Sequence, residues 1–153
     1  MIRLAVPEDF TSIMSIYAYA RSFMQETGNP NQWGNHFPPE ELIHNRIRDK
    51  QLFVLEENGT LHGAFAFIIG EDPTYLQIDD AWLSDAPYGT IHQVASDGTI
   101  HGFFSQIVDY CWAQIPHLRV DTHADNQIMQ HLIQKNGFER RGIIYVLNHS
   151  PRI

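Results

Sequence analysis

Cysteine is all but absent: Cys111 is the single one in 153 residues. One thiol cannot close an internal disulfide, and its isolation points to a reducing, cytoplasmic location. Basic side chains are also scarce. Ten Lys and Arg stand against 18 Asp and Glu, a formal net charge of −8 with histidine neutral. Nucleic-acid binding needs a basic face to meet phosphates, so that class is excluded. No run of about 18 apolar residues occurs, which excludes a membrane-spanning helix. Residues Met1 to Phe10 hold no basic segment followed by an apolar run, so no secretory signal is expected. Internal repeats, low-complexity tracts and linkers are lacking, and residues 1–153 are expected to form one domain. The acidity chiefly keeps a protein soluble, and it also steers small cations toward the surface.

What is present is an ordinary apolar share, 43% of residues, arranged in clear periods. "IRLAV" reads as a first strand. Pro7, Glu8 and Asp9 then open a helix, with acidic groups at its positive end. Phe10, Ile13, Met14, Tyr17 and Ala20 form its buried stripe. "TGNPNQWGNHFPP" is a turn-rich break, and Pro39-Glu40-Glu41 opens a second, short helix to about Lys50. Two apolar runs around Asn58-Gly59 predict a β-hairpin. A further strand is expected near Tyr75 to Ile78, then "GTIHQVA" as a strand. Phe103, Phe104, Ile107, Val108, Cys111, Trp112 and Ile115 face one side of a helix stopped by Pro116. "LRVDTH" is a strand, and Asp125 or Asn126 caps a helix with Ile128, Met129, Leu132 and Ile133 inward. Gly137 ends that helix, and "GIIYVL" is a last strand. An antiparallel meander followed by a β-α-β unit is a mixed α/β fold, α+β in some schemes, with about four helices.

The turn between "GTIHQVA" and its helix carries Gly98 and Gly102 but no Lys or Arg. A helix N-terminus can bind an anion through unpaired backbone N–H groups alone. Gly102 at the helix start would let a ligand approach, whereas a plain corner would also use two glycines. No G-x-x-x-x-G-K-[ST] and no early G-x-G-x-x-G competes for a phosphate.

These residues resemble the GNAT superfamily of N-acetyltransferases. In that family a fourth strand runs into a [Q/R]-x-x-G-x-[G/A] loop whose backbone amides cradle the pyrophosphate of acetyl-CoA. Here the strand valine is Val94, and the loop is Thr99-Ile100-His101-Gly102-Phe103-Phe104. The downstream half, an Asn followed about a helix later by Gly-Phe, is "NQIMQHLIQKNGF" from Asn126 to Phe138. The order of elements matches across nearly the whole chain. Thr99, Phe104 and Ile133 depart from the pattern, and His101 stands where a Lys is frequent.

The resemblance implies one domain with a mixed, mostly antiparallel sheet, its parallel β-α-β unit splayed at the cofactor. Acetyl-CoA is the expected co-substrate, held by Val94, Ile100, His101, Gly102, Phe103, Phe104, Ser105 and Asn126. Transfer to an amine needs a base, a donor to the thioester oxygen and an acid for the thiolate. A fourth-strand N–H around Val94 is the implied oxyanion donor. His92 is the candidate base, two residues before Val94 and so expected on the same face; a merely hydrogen-bonded histidine is the alternative. His123 follows the next strand, as a catalytic or a capping histidine. Tyr145 is a candidate acid or a packed strand residue. Trp33 covers the acceptor or anchors its loop, and Asp121 holds the amine or orients an imidazole. Nine histidines raise the question of a metal, but no H-x-x-x-H spacing occurs and none is expected. Cys111 sits on the apolar face of its helix and reads as a buried thiol. The expected partner is a small-molecule or peptide amine, with neither nucleic acid nor membrane, and a homodimer is among the expected assemblies. A non-catalytic acyl-CoA-binding or sensing module is the alternative function.

Overall fold

The computed structural model describes residues 1–26, 38–70, 88–100, 102–120, 127–138, 144–145 and 151–152. The strand expected near Tyr75 to Ile78 lies outside them. β1 (Ile2–Leu4) leads through a 3-10 turn (Pro7–Asp9) into α1 (Phe10–Glu26). Then come α2 (Glu40–Arg48), β2 (Leu52–Glu57), β3 (Thr60–Ile69) and β4 (Gly89–Ser96). They are followed by α3 (Phe103–Trp112), β5 (Leu118–Val120), α4 (Gln127–Lys135), β6 (Ile144–Tyr145) and β7 (Pro151–Arg152). The main sheet has the order β1-β2-β3-β4-β5. Its pairings are antiparallel except for the parallel β4–β5 pair. β6 and β7 pair with each other; β7, in "SPRI", carries no strand signal and was not foreseen.

The sheet is buried on both faces, which is why its strands read as continuous apolar runs rather than alternating ones. Leu52, Val54, Ala64, Ala66 and Ala95 face α1 and α2, against Ile13, Ile16, Tyr17, Ala20, Ile43 and Ile47. Leu55, Phe65, Phe67 and Ile91 face the other way, against Phe103, Ile107 and Cys111 of α3. The three alanines on the first face let α1 lie close to the sheet.

The local chemistry explains the boundaries. Asn58 and Gly59 both have positive φ, 54° and 80°, the type I′ geometry that suits a two-residue hairpin. At the N-terminal turn, Arg3 donates two bonds to the Asp9 carboxylate at 2.8 and 3.0 Å. Asp9 also accepts the Val6 amide at 2.9 Å. The Arg3 bonds, aided by that amide, hold the Asp9 carboxyl below the usual range. α4 closes in a Schellman motif: Phe138 N–H bonds Ile133 C=O, Gly137 N–H bonds Gln134 C=O, and Gly137 has φ 89°. α3 ends at Trp112, before Ile115 and Pro116, and the turn that follows still bonds back to it, with the Gln114 and Ile115 N–H groups both reaching the Cys111 C=O.

Candidate active site

Among the described residues, β4 and β5 pair over Gly89–Ile91 and Leu118–Val120, while β4 runs on to Ser96. The strand changes character where the described pairing stops. Ala66 pairs with His92 but Ala64 pairs with Ala95, so Phe65 alone opposes both Gln93 and Val94. This is a β-bulge, and its first residue, Gln93, is in the left-handed region at φ 48°. Such a conformation is uncommon for a residue with a side chain. The Tyr17 hydroxyl, from the middle of α1, donates a 2.7 Å bond to the Gln93 carbonyl. Tyr17 is fully buried, and burial pushes its phenol pKa up, so it stays a neutral donor. The Gln93 Oε1 is itself buried, with no hydrogen-bond partner among the described residues.

The bulge corrects one expectation. His92 and Val94 do not share a face, because the extra residue breaks the strict alternation between them. His92 sits opposite Ala66, on the α1/α2 face, while Val94 packs into the α3 cluster. At the foot of the same strand, Arg119 of β5 is buried and lies 3.8 Å over the Tyr88 ring.

A second bulge shapes the loop after β4. Leu55 pairs with Gly63 and Glu56 with Leu61, leaving His62 as the extra residue of β3. The His62 carbonyl accepts the Asp97 amide at 2.9 Å, and its Nδ1 lies 2.7 Å from Asp97 Oδ2. Thr99 donates to Asp97 Oδ1 through its hydroxyl at 2.6 Å and its amide at 3.0 Å. Thr99 Oγ1 is also 3.0 Å from His62 Nδ1. With the hydroxyl hydrogen committed to Asp97, the consistent arrangement has a proton on His62 Nδ1, shared between Thr99 and Asp97. Burial alone would raise the Asp97 pKa, but the bonds from Thr99 and His62 outweigh it and hold the carboxyl low. Thr99, which departs from the family pattern, thus works inside the loop. Asp97 is turned into the same cluster.

The start of α3 is open. Gly102 is its N-cap in the left-handed conformation, φ 69° and ψ 25°, and no side chain caps the helix among the described residues. A Cβ on Gly102 would meet nothing within 4 Å among them. The first helical bond runs from Gln106 N–H to Gly102 C=O at 3.0 Å, so the amides of Phe103, Phe104 and Ser105 precede the helix's own acceptors. Both aromatic side chains turn inward. The Phe103 ring lies where a Cβ on Gly63 would come within 2.4 Å of it. Phe104 is 4% exposed, its ring 6.3 Å from that of Phe138. Ile100 packs against the same cluster. Aromatic bulk therefore anchors the helix start from the inner side.

Of the other expected site residues, Trp33, His101, Asp121, His123 and Asn126 lie outside the described residues. Tyr145 is in β6, where its backbone pairs with Pro151. Cys111 is buried, and loss of solvent pushes its thiol up to about 12. Sequence reasoning missed Tyr17, Gln93 and His62. Tyr17 had a usable signal: a tyrosine in an apolar helical stripe needs a partner for its hydroxyl. His62 had one in Gly63 beside it, since an isolated glycine within a strand marks a bulge or a close approach, whereas Gln93 had none.

No protein-family model and no curated protein matches the chain. Solved structures do. An acetyltransferase of the GNAT family from Streptococcus agalactiae is 28% identical, with a TM-score of 0.85, covering 99% of this chain and 91% of that one. Another from Listeria monocytogenes is 17% identical, with a TM-score of 0.73 over 99% and 91% of the two chains. An aminoglycoside antibiotic 6'-N-acetyltransferase from Acinetobacter haemolyticus shares the fold at 11% identity, TM-score 0.64, over 92% of each. With its five-stranded mixed sheet, its parallel β4–β5 pair and this likeness over nearly its full length, the protein is an acyltransferase of the GNAT superfamily of N-acetyltransferases.

Proposed function

We propose that the protein moves an acetyl group from acetyl-CoA directly to a primary amine of a small molecule or peptide. The observation that carries this is the α3 N-terminus beyond the C-terminal end of β4, where among the described residues no side chain caps the helix and nothing lies within 4 Å of a Cβ on Gly102, with the two phenylalanine rings turned inward. The amides of Phe103, Phe104 and Ser105 suit a pyrophosphate, aided by the positive end of the helix. The same reading assigns Ile100, His101 and Asn126 to the binding of acetyl-CoA. The bulge leaves Val94 as the residue whose amide meets the thioester oxygen as it gains charge. His92 serves as base toward the amine on the opposite face. Tyr145 or His123 returns a proton to the thiolate, and Trp33 and Asp121 hold the acceptor. Much of the acceleration comes from holding both substrates in line, which can be worth about 7–11 kcal/mol.

The test is thiol release from acetyl-CoA with a panel of amines, amino acids, polyamines and aminoglycosides. Turnover with at least one acceptor is expected, with a large loss in His92→Ala. Acetyl-CoA binding without release across the panel would reassign the site to a non-catalytic acyl-CoA module. Absence of binding by calorimetry would remove both readings.

A further inference from the structure

We propose that Tyr17 is a positioning residue for acyl transfer, acting through the backbone of Gln93; this rests on the acetyl-transfer reading above. Three observations converge. Gln93 occupies a left-handed conformation at φ 48° that a residue with a Cβ adopts only when its surroundings impose it. Its own side chain does not impose it, since Oε1 has no hydrogen-bond partner among the described residues. The Tyr17 hydroxyl does, with a 2.7 Å bond to the Gln93 carbonyl across 76 residues of sequence.

Tyr17 is well placed to hold that bond. It is buried in one cluster with Ala64, Ala66 and Ala95, the residues whose pairings flank the bulge. The peptide it grips joins Gln93 to Val94, so the gripped carbonyl and the Val94 amide belong to one planar unit. Fixing the carbonyl therefore fixes the direction of the N–H. If that N–H receives the thioester oxygen, the α1 phenol sets its aim without touching substrate. Ground-state binding of acetyl-CoA, carried by the α3 amides, should be indifferent to it.

Tyr17→Phe removes the hydroxyl and keeps the ring. Per folded molecule, kcat should fall about 10-fold, a part of what loss of a whole oxyanion donor costs. KM for acetyl-CoA should stay within about 2-fold, since only transition-state contacts change. Adding Gln93→Gly should then restore most of kcat, because glycine enters the left-handed conformation without the penalty that a Cβ imposes. A purely structural Tyr17 predicts the reverse, since a glycine in a strand only weakens it further. Should Tyr17→Phe not fold, Gln93→Val asks the same question, because a β-branched residue resists that conformation; it should lower kcat at unchanged KM. Unchanged kcat in these variants, or a loss that Gln93→Gly does not relieve, overturns the proposal. A wild-type protein without turnover removes the acetyl-transfer reading and this role with it, whereas turnover with an unaffected Tyr17→Phe removes this role alone.

Discussion

Glycines near the helix start have different jobs, and substitution separates them. At Gly102 the demand is conformational: φ is 69°, yet a Cβ would meet nothing within 4 Å among the described residues. Gly102→Ala should lower stability by about 1–2 kcal/mol, the cost of a left-handed alanine. The new methyl group points into the open side of the cradle, so acetyl-CoA affinity should fall by more than the stability loss explains. Gly63 is the opposite case. Its Cβ would come within 2.4 Å of the Phe103 ring, so Gly63→Ala should overpack the core, by about 1–3 kcal/mol, and displace the ring that anchors α3. Urea titration and calorimetric binding on both variants check the contrast; equal affinity in Gly102→Ala would mean that no ligand approaches there. Cys111 permits a third residue-level test. Its thiol is fully buried and pushed up to about 12, so it should react with a thiol reagent at pH 8 only after denaturant is added.

Among the elements, the β4–α3 loop depends on a charged knot that pH can loosen. Asp97 is held below the ordinary carboxylate range by Thr99 and His62. A depressed folded pKa means stabilisation that is complete above the unfolded value, about 4, and lost as pH falls through the folded one. Asp97→Asn should therefore cost about 1 kcal/mol at pH 7, and the gap to wild type should narrow at pH 3. Urea melts at the two pH values decide it; a gap independent of pH would mean that the carboxylate charge plays no part. This loop also shows where sequence reading succeeds and where it stops. The hairpin at Asn58-Gly59, the Phe103, Ile107 and Cys111 side of α3 and the Gly137 stop were legible, because each depends on local chemistry with a fixed spacing, whereas Trp112, read onto the same face of α3, is exposed. The glycine at the α3 N-cap was legible for the same reason. The bulges at His62 and Gln93 were not. They arise from register against neighbouring strands and from a hydroxyl on a distant helix; "HQVA" holds no local sign of its bulge, and Gly63 in "HGAF" marks a break or a close approach without saying which. That omission put His92 and Val94 on one face when the sheet separates them. Phe104 departs from the motif, and only packing against Phe138 shows its ring turned inward.

For the molecule as a whole, charge and cradle pull in opposite directions. The chain carries a formal net charge of −8, while the proposed co-substrate is a polyanion and the proposed acceptor a cation. Enzymes that bind phosphates with Lys and Arg lose affinity as salt rises. A cradle of backbone dipoles inside an acidic surface should behave differently, because its attraction is short-ranged and the long-range field repels the ligand. Raising ionic strength from about 0.01 to 0.15 M shortens the screening length from about 30 to about 8 Å. The distant repulsion then fades, while contacts within the first helical turn persist. Stopped-flow association of acetyl-CoA should therefore be unchanged or faster at the higher salt. For a polyamine acceptor the same field is attractive, so kcat/KM should fall several-fold over that range; a neutral-backbone monoamine should respond less. Initial rates with each substrate varied at saturating partner separate the two effects. Association of acetyl-CoA that slows with salt would mean that cationic side chains, not the α3 amides, carry the phosphates.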